Sequence, residues 1–172
     1  MKSLLSSLFL SGLLLSGCQK ESVEPQPALA STQTTDAKAE NRNFTAHLTG
    51  DEEVPAVATN ATGQAIFKLS KDGKSLSYKL IVANISTTVI FGHLHLGERG
   101  ANGPVVVDLV GRTGPSPQGV IAEGIITSAS LKGPLAGQTT LSGLIAAMEA
   151  GRIYTNVHST AVPSGEIRGQ VR

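Results

Sequence analysis

From Phe44 onward the chain alternates apolar and polar residues with a period of two. Phe44, Ala46 and Leu48 stand two apart, as do Ala65, Phe67 and Leu69, and then Leu76, Tyr78, Leu80 and Val82. Successive side chains of a strand point to opposite faces, so this spacing predicts half-buried strands with one face turned to a core. Lys71-Asp72-Gly73-Lys74 separates the second and third runs, and Asp-Gly supplies the positive φ of a hairpin turn, which makes the opening a β-meander. Further strands fit Val89 to Leu96, Val105 to Val110, Val120 to Ile126, Ile153 to His158 and Glu166 to Val171, with Gly and Pro between them. Pro55 cannot donate to a ladder and is expected to end the first strand at Glu53-Val54-Pro55. Leu141, Leu144, Ile145 and Met148 instead fall at helical spacing, after Thr139 and Thr140 as possible caps and before Gly151 as a stop. The pattern therefore predicts an all-β, antiparallel, Greek-key-like β-sandwich of about eight strands with one short helix.

Before Phe44 the pattern is different. Lys2 precedes an apolar run from Leu4 to Leu15 that ends in Leu15-Ser16-Gly17-Cys18, the single cysteine of the 172 residues. A basic start, a short apolar stretch and small residues before a cleavage point predict a secretory signal peptide. The run is too short for a permanent membrane span. The cysteine at its end predicts a lipoprotein signal over residues 1–17, with the Cys18 thiol receiving the lipid. Gln19 after the cysteine favours the outer membrane of a bacterial cell envelope, facing the periplasm or the surface. From Cys18 to residue 43 the chain is polar, with almost nothing large to bury, and reads as a lipidated flexible tether. About 25 such residues have a root-mean-square reach of roughly 25–30 Å. Residues 44–172 are left as one folded domain.

Once Cys18 carries lipid, no thiol remains, which excludes disulfides, thiolate metal sites and cysteine nucleophiles from the domain. The formal charge is +1, with 3% aromatic residues and no Trp, so neither a basic stripe nor a stacking platform for nucleic acid exists. No Gly-x-Ser-x-Gly, P-loop or dinucleotide fingerprint occurs, and Ser159 next to His158 faces the opposite way on a strand.

The chemistry that remains centres on His93-Leu94-His95. Two residues apart on a strand, both imidazoles project from one face while Leu94 and Leu96 turn to the core. Such a pair can chelate one Zn2+ or Cu2+ at about 2.0–2.1 Å per nitrogen. His158 is the candidate third ligand, because Tyr154, Asn156 and His158 share one face of their strand and Ile153, Thr155 and Val157 the other. Glu53, Glu98, Asp108 and Glu166 are candidates to complete the shell, Glu53 and Glu166 as weaker ligands. The same histidines also suit architecture: His93 and His95 bonding loop carbonyls around Gly100 to Pro104, and His158 capping the Pro163-Ser164-Gly165 turn. His47 alternates away from the core and is expected in solvent. Glu166 and Arg168 share a face, which suggests an ion pair or a Glu166 bond to a loop group.

Three blocks carry a resemblance. They are Phe44 to Pro55 with Gly63-x-Ala65; Gly92-His93-Leu94-His95-x-Gly97 with Gly100-x-Asn102-Gly103-Pro104-Val105-Val106; and Gly151-x-Ile153-Tyr154-x-Asn156-Val157-His158-Ser159 with Pro163-x-Gly165-Glu166-Ile167-Arg168-Gly169-Gln170. In order and spacing they resemble the CHRD domain, the module repeated in chordin and found singly in bacterial secreted proteins, over essentially all of residues 44–172. The resemblance implies extracellular placement and a binding role, since chordin binds growth-factor ligands, and implies no chemistry. The Gly-His-x-His run also resembles copper-zinc superoxide dismutases, themselves sandwiches, but the zinc loop and paired cysteines of those enzymes have no counterpart here. The expectation is a membrane-anchored, non-enzymatic binding module for an extracytoplasmic protein or glycan, with a zinc or copper site at the histidines. The alternatives are a metal-dependent redox or hydrolytic enzyme and a structural or adhesive surface domain.

Overall fold

The computed structural model describes residues 43–85 and 87–172. The expected signal peptide (1–17), Cys18 and the rest of the expected tether (18–43), apart from Asn43, lie outside the described residues. Eight strands run in the order β1 (Asn43–Thr49), β2 (Thr62–Leu69), β3 (Leu76–Ala83), β4 (Val89–Leu96), β5 (Val105–Val110), β6 (Gly119–Ile126), β7 (Ile153–Ser159) and β8 (Ile167–Gln170), with one helix, α1 (Ser142–Glu149), between β6 and β7. All pairings are antiparallel, in one sheet of spatial order β5-β4-β7-β8-β1-β2-β3-β6. The outer strands β5 and β6 come back toward each other, so the sheet is nearly closed and barrel-like. Tyr78 of β3 stitches this seam, its hydroxyl donating to the Leu109 carbonyl of β5 at 2.6 Å.

The alternation sets the inside. Phe44, Ala46, Leu48, Ala65, Phe67, Leu69, Leu76, Leu80 and Val82 are all buried in one apolar core, joined by Leu94, Ile153, Val157 and Ile167 from the other strands. Each fully buried Leu, Ile or Phe contributes about 1.5–3 kcal/mol of transfer free energy. The β2–β3 hairpin turns at Gly73 with φ +70°, and Asp72 Oδ1 accepts from Ser70 Oγ at 2.6 Å and from the Lys74 amide at 3.1 Å. In α1, Leu144, Ile145, Ala147 and Met148 are buried, and Gly151 follows with φ +66°, its amide donating to the Met148 carbonyl. Of the two threonines before the helix, Thr140 is the one engaged: its Oγ1 accepts from the Ser142 amide at 3.4 Å.

The first strand stops earlier than expected. It ends at Thr49, and the segment Gly50–Glu52 forms a 3-10 turn closed by the Glu53 and Val57 amides donating to the Gly50 carbonyl. This turn swings Glu53 inward, where it is 7% exposed. At the other end the ladder continues past β8, since the Thr45 amide donates to the Arg172 carbonyl and the Arg172 amide to that of Thr45. Among the described residues no helix is long and apolar enough to cross a membrane.

Candidate metal centre

Strands β4, β7 and β8 lie side by side, and their register builds the site. Phe91 sits opposite His158, His93 opposite Asn156, and His95 opposite Tyr154; β8 extends the rows with Arg168 beside Asn156 and Gln170 beside Tyr154. Directly opposed residues share a face. One face of these strands thus carries Leu94, Ile153, Val157 and Ile167 into the core, and the other carries a polar layer of three histidines, Tyr154, Asn156, Arg168 and Gln170. Pairing of β4 with β5 slips between Gly92 and His93 and again between Leu94 and His95. Such bulges re-aim side chains and concentrate next to functional sites.

The polar layer is not in solvent, because the loop between β4 and β5 folds over it. Arg168, 1% exposed, holds that loop: Nη2 donates to the carbonyls of Glu98 (3.0 Å) and Ala101 (2.8 Å), Nη1 to Asn102 Oδ1 (3.2 Å), and the guanidinium lies 3.5 Å from the Tyr154 ring centroid. Gln170 Nε2 donates to the Gly97 and Gly151 carbonyls at 2.9 and 2.7 Å. The loop is tied in turn to the segment after β1, through Asn102 Nδ2 to the Val54 carbonyl (2.8 Å) and the Arg99–Glu52 ion pair.

His95, which this loop reaches through Gly103, converges with His93 and His158, with one nitrogen from each lying within 4.8 Å of the others. The His93 and His158 rings meet edge-on at 5.2 Å between centroids, and those of His93 and His95 at 5.5 Å. Two of the rings are fixed through Nδ1. A carbonyl can only accept, so His95 Nδ1–H donates to the Gly103 carbonyl (2.8 Å) and His158 Nδ1–H to the Pro163 carbonyl (2.9 Å). At His158 that bond sets the tautomer and leaves Nε2 as a lone-pair donor, the outer-sphere arrangement of metal-bound histidines; at His95 both nitrogens face an oxygen, and the shorter contact, to Gly103, takes the single proton of the neutral ring. His158 Nε2 is buried without a partner, and so is His93 Nδ1. His95 Nε2 lies 3.0 Å from Asn156 Oδ1. His95 also stacks on Tyr154, 4.7 Å between centroids and 7° from parallel.

Burial lowers the pKa of all three imidazoles. Desolvation is the main cause for each; for His93 the neighbouring His158 and His95 add to it and bring the value to about 4. All three are therefore neutral at neutral pH, the form that ligates a metal. His93 stacks on Phe91, which is 52% exposed.

The expected loop and turn contacts are thus present at His95 and His158, and they coexist with free ligand atoms instead of replacing them. Among the described residues no carboxylate belongs to the three-histidine group. Asp108, opposite His93 on β5, pairs with Lys132 in the open. Glu98 is exposed and contributes its carbonyl to Arg168. Glu166 is buried and accepts from Thr59 Oγ1 at 3.0 Å, with its other oxygen unpartnered. It makes its bond to that loop group and no ion pair with Arg168. Glu53 packs under Gly165, where a side chain would lie 2.6 Å from its Oε1, which explains a glycine there at φ +127°. Burial raises the Glu53 pKa to about 7 against the pull of Arg168 and of its bond to the Val54 backbone. His47 is exposed, as its alternation implies. Asn156, Tyr154 and Arg168 were not singled out from sequence as site residues, although the alternation of β7 had already placed Tyr154 and Asn156 on the histidine face.

The comparisons agree with the resemblance. No curated protein and no solved structure matches the chain significantly. The family model of the CHRD domain matches residues 44–171, which takes in all eight strands but for Asn43 and every residue of the histidine face. The chain belongs to the CHRD domain family.

Proposed function

We propose that this CHRD domain is a non-enzymatic binding module, held at the bacterial envelope by lipid on Cys18, and that it binds zinc or copper through His93, His95 and His158. The observation that carries the metal reading is the convergence of three neutral imidazoles within 4.8 Å, with buried nitrogens that lack a hydrogen-bond partner at His93 Nδ1 and His158 Nε2. A buried polar atom without a partner costs about 1–3 kcal/mol, and two in one cluster point to a ligand that takes both. The crossing of β7 and β8 between β4 and β1 supports reading the sheet as a Greek-key-like sandwich that is pinched shut along the Tyr78 seam.

The test is elemental analysis with thermal unfolding of the intact chain, purified without an affinity tag, beside His93→Ala/His95→Ala. One equivalent of zinc or copper, absent from the variant, together with a melting temperature that rises on metal addition, is the expected result. No uptake at micromolar metal overturns it. Membrane anchoring is tested by fractionation, in which Cys18→Ser should move the protein from the membrane to the soluble fraction. A second reading is a metal-dependent redox or hydrolytic enzyme; catalysis needs an exchangeable water on the metal, whereas a closed shell means binding or structure.

A further inference from the structure

Around His95 the structure shows a mismatch of hydrogen-bonding types. Both of its nitrogens face oxygens, Nδ1 the Gly103 carbonyl at 2.8 Å and Nε2 Asn156 Oδ1 at 3.0 Å, and the one proton of the neutral ring goes to the shorter contact, at Nδ1. The neutral ring then presents a bare lone pair at Nε2, and the atom 3.0 Å away is Asn156 Oδ1, a second acceptor. Two acceptors at that distance repel unless a positive centre lies between or beside them. Asn156 is 4% exposed and stands opposite His93 across the β4–β7 ladder, on the face that bears the three imidazoles. It is therefore seated between His95 and the other members of the cluster's face, not at its margin.

The separation has a chemical meaning. Two ligand atoms about 2.0–2.2 Å from one metal stand roughly 3.0–3.5 Å apart for bond angles between a right angle and the tetrahedral value. His95 Nε2 and Asn156 Oδ1 already stand at the short end of that range. We infer that Asn156 Oδ1 is a fourth ligand at this centre, making a three-nitrogen, one-oxygen site for a divalent cation. This rests on the three-histidine reading and deepens it by naming the cation class. Imidazole alone suits zinc and either oxidation state of copper, whereas an amide oxygen is a hard donor that favours Zn2+ or Cu2+ over the soft Cu+. The side-chain amide is uncharged, so the loaded site keeps the full charge of the ion. It thereby favours an anionic group as any further ligand of the ion.

The test measures Zn2+ and Cu+ affinity on the intact chain by competition with chromophoric chelators, for wild type, Asn156→Leu, Asn156→Asp and His93→Ala. Wild-type protein that takes up neither ion overturns the three-histidine reading itself. Given wild-type uptake lost in His93→Ala, the expected result is that Asn156→Leu weakens Zn2+ by tenfold or more and Cu+ by less than threefold. Asn156→Asp, a charged oxygen at the same reach, should bind Zn2+ at least as tightly as wild type. Equal Zn2+ affinity in Asn156→Leu overturns the inference and leaves the histidines standing. So does tighter binding, which would mean that Asn156 donates through Nδ2 and blocks His95 Nε2. An equal loss for both ions marks Asn156 as structural packing and also overturns it. Should Asn156→Leu fail to fold, the Asp variant decides, because loss of Zn2+ binding in a folded Asp protein contradicts an oxygen ligand at that position.

Discussion

Arg168 and the three histidines sit on the same face of the same three strands, within the same buried polar layer, yet the protein treats them in opposite ways. Arg168 directs its donors to the carbonyls of Glu98 and Ala101 and to Asn102, and lays its guanidinium on Tyr154. Gln170 beside it is likewise engaged by two backbone carbonyls. At the histidines, backbone carbonyls fix His95 and His158 through Nδ1, while His93 Nδ1 and His158 Nε2 have no partner. Burial by itself therefore does not separate scaffold from site. Unpartnered buried oxygens also occur singly at Glu53, Thr155 and Glu166; what sets the histidines apart is that their nitrogens converge within 4.8 Å, where one ligand can take several of them.

The largest effect expected from this contrast is at the arginine. Arg168→Met removes charge-assisted bonds to two loop carbonyls and uncovers the polar layer, at about 3–5 kcal/mol. Chemical denaturation should show that loss and calorimetry a melting temperature lower by roughly 10 °C or more. A loss under about 1 kcal/mol would break the contrast, since Arg168 would then be no anchor.

Glu53 gives the next effect and a pH signature. Its pKa is raised from 4.5 to about 7 by burial, so the folded state holds the proton more tightly than the unfolded chain. The stability this contributes is complete below about pH 4.5 and is lost as pH rises through about 7. Glu53→Gln mimics the protonated form at every pH. It should leave stability near wild type at pH 4.5 and raise it by about 2–3 kcal/mol at pH 8. Denaturation curves at the two pH values check this, and a variant destabilised at pH 8 would show that the charged form paired with Arg168 is the one the fold needs.

The histidines should respond in the opposite sense to the arginine. His93→Ala is expected to lower metal affinity by 100-fold or more while changing the stability of the metal-free protein by no more than about 1 kcal/mol, because its unpartnered Nδ1 is removed with it. Calorimetric titration and melting in the presence of a chelator separate the two quantities. The smallest effect belongs to His47, exposed on β1 and outside the cluster. His47→Ala should stay within about 0.5 kcal/mol of wild type and leave metal uptake unchanged. Metal loss on that substitution would place the site elsewhere.

The strands, the Gly73 hairpin, the helix stop at Gly151 and the shared face of His93 and His95 were all legible in the chain, because alternation, turn chemistry and helical spacing are local properties. The face of β7 was legible for the same reason, down to Asn156 and His158 on one side. The burial of Arg168 and of Glu53 was not. A polar residue alternating with core residues has the same sequence signature whether it meets water or a covering loop, and nothing near Arg168 announces that residues 98–102 fold over it. The Glu166 bond to Thr59 spans 107 positions and is equally invisible to spacing.

Sequence by itself thus determined which residues form strands, which side of each strand carries apolar groups, and that two imidazoles leave β4 together. Tertiary structure alone decided that β7 lies between β4 and β8, which brings His158 to that pair and Asn156 to His95. It also decided that the seam closes at Tyr78 and that the polar face is roofed. The reason is physical: side-chain direction follows from backbone geometry over a few residues, whereas strand order and loop cover follow from a free-energy balance over contacts distant in the chain.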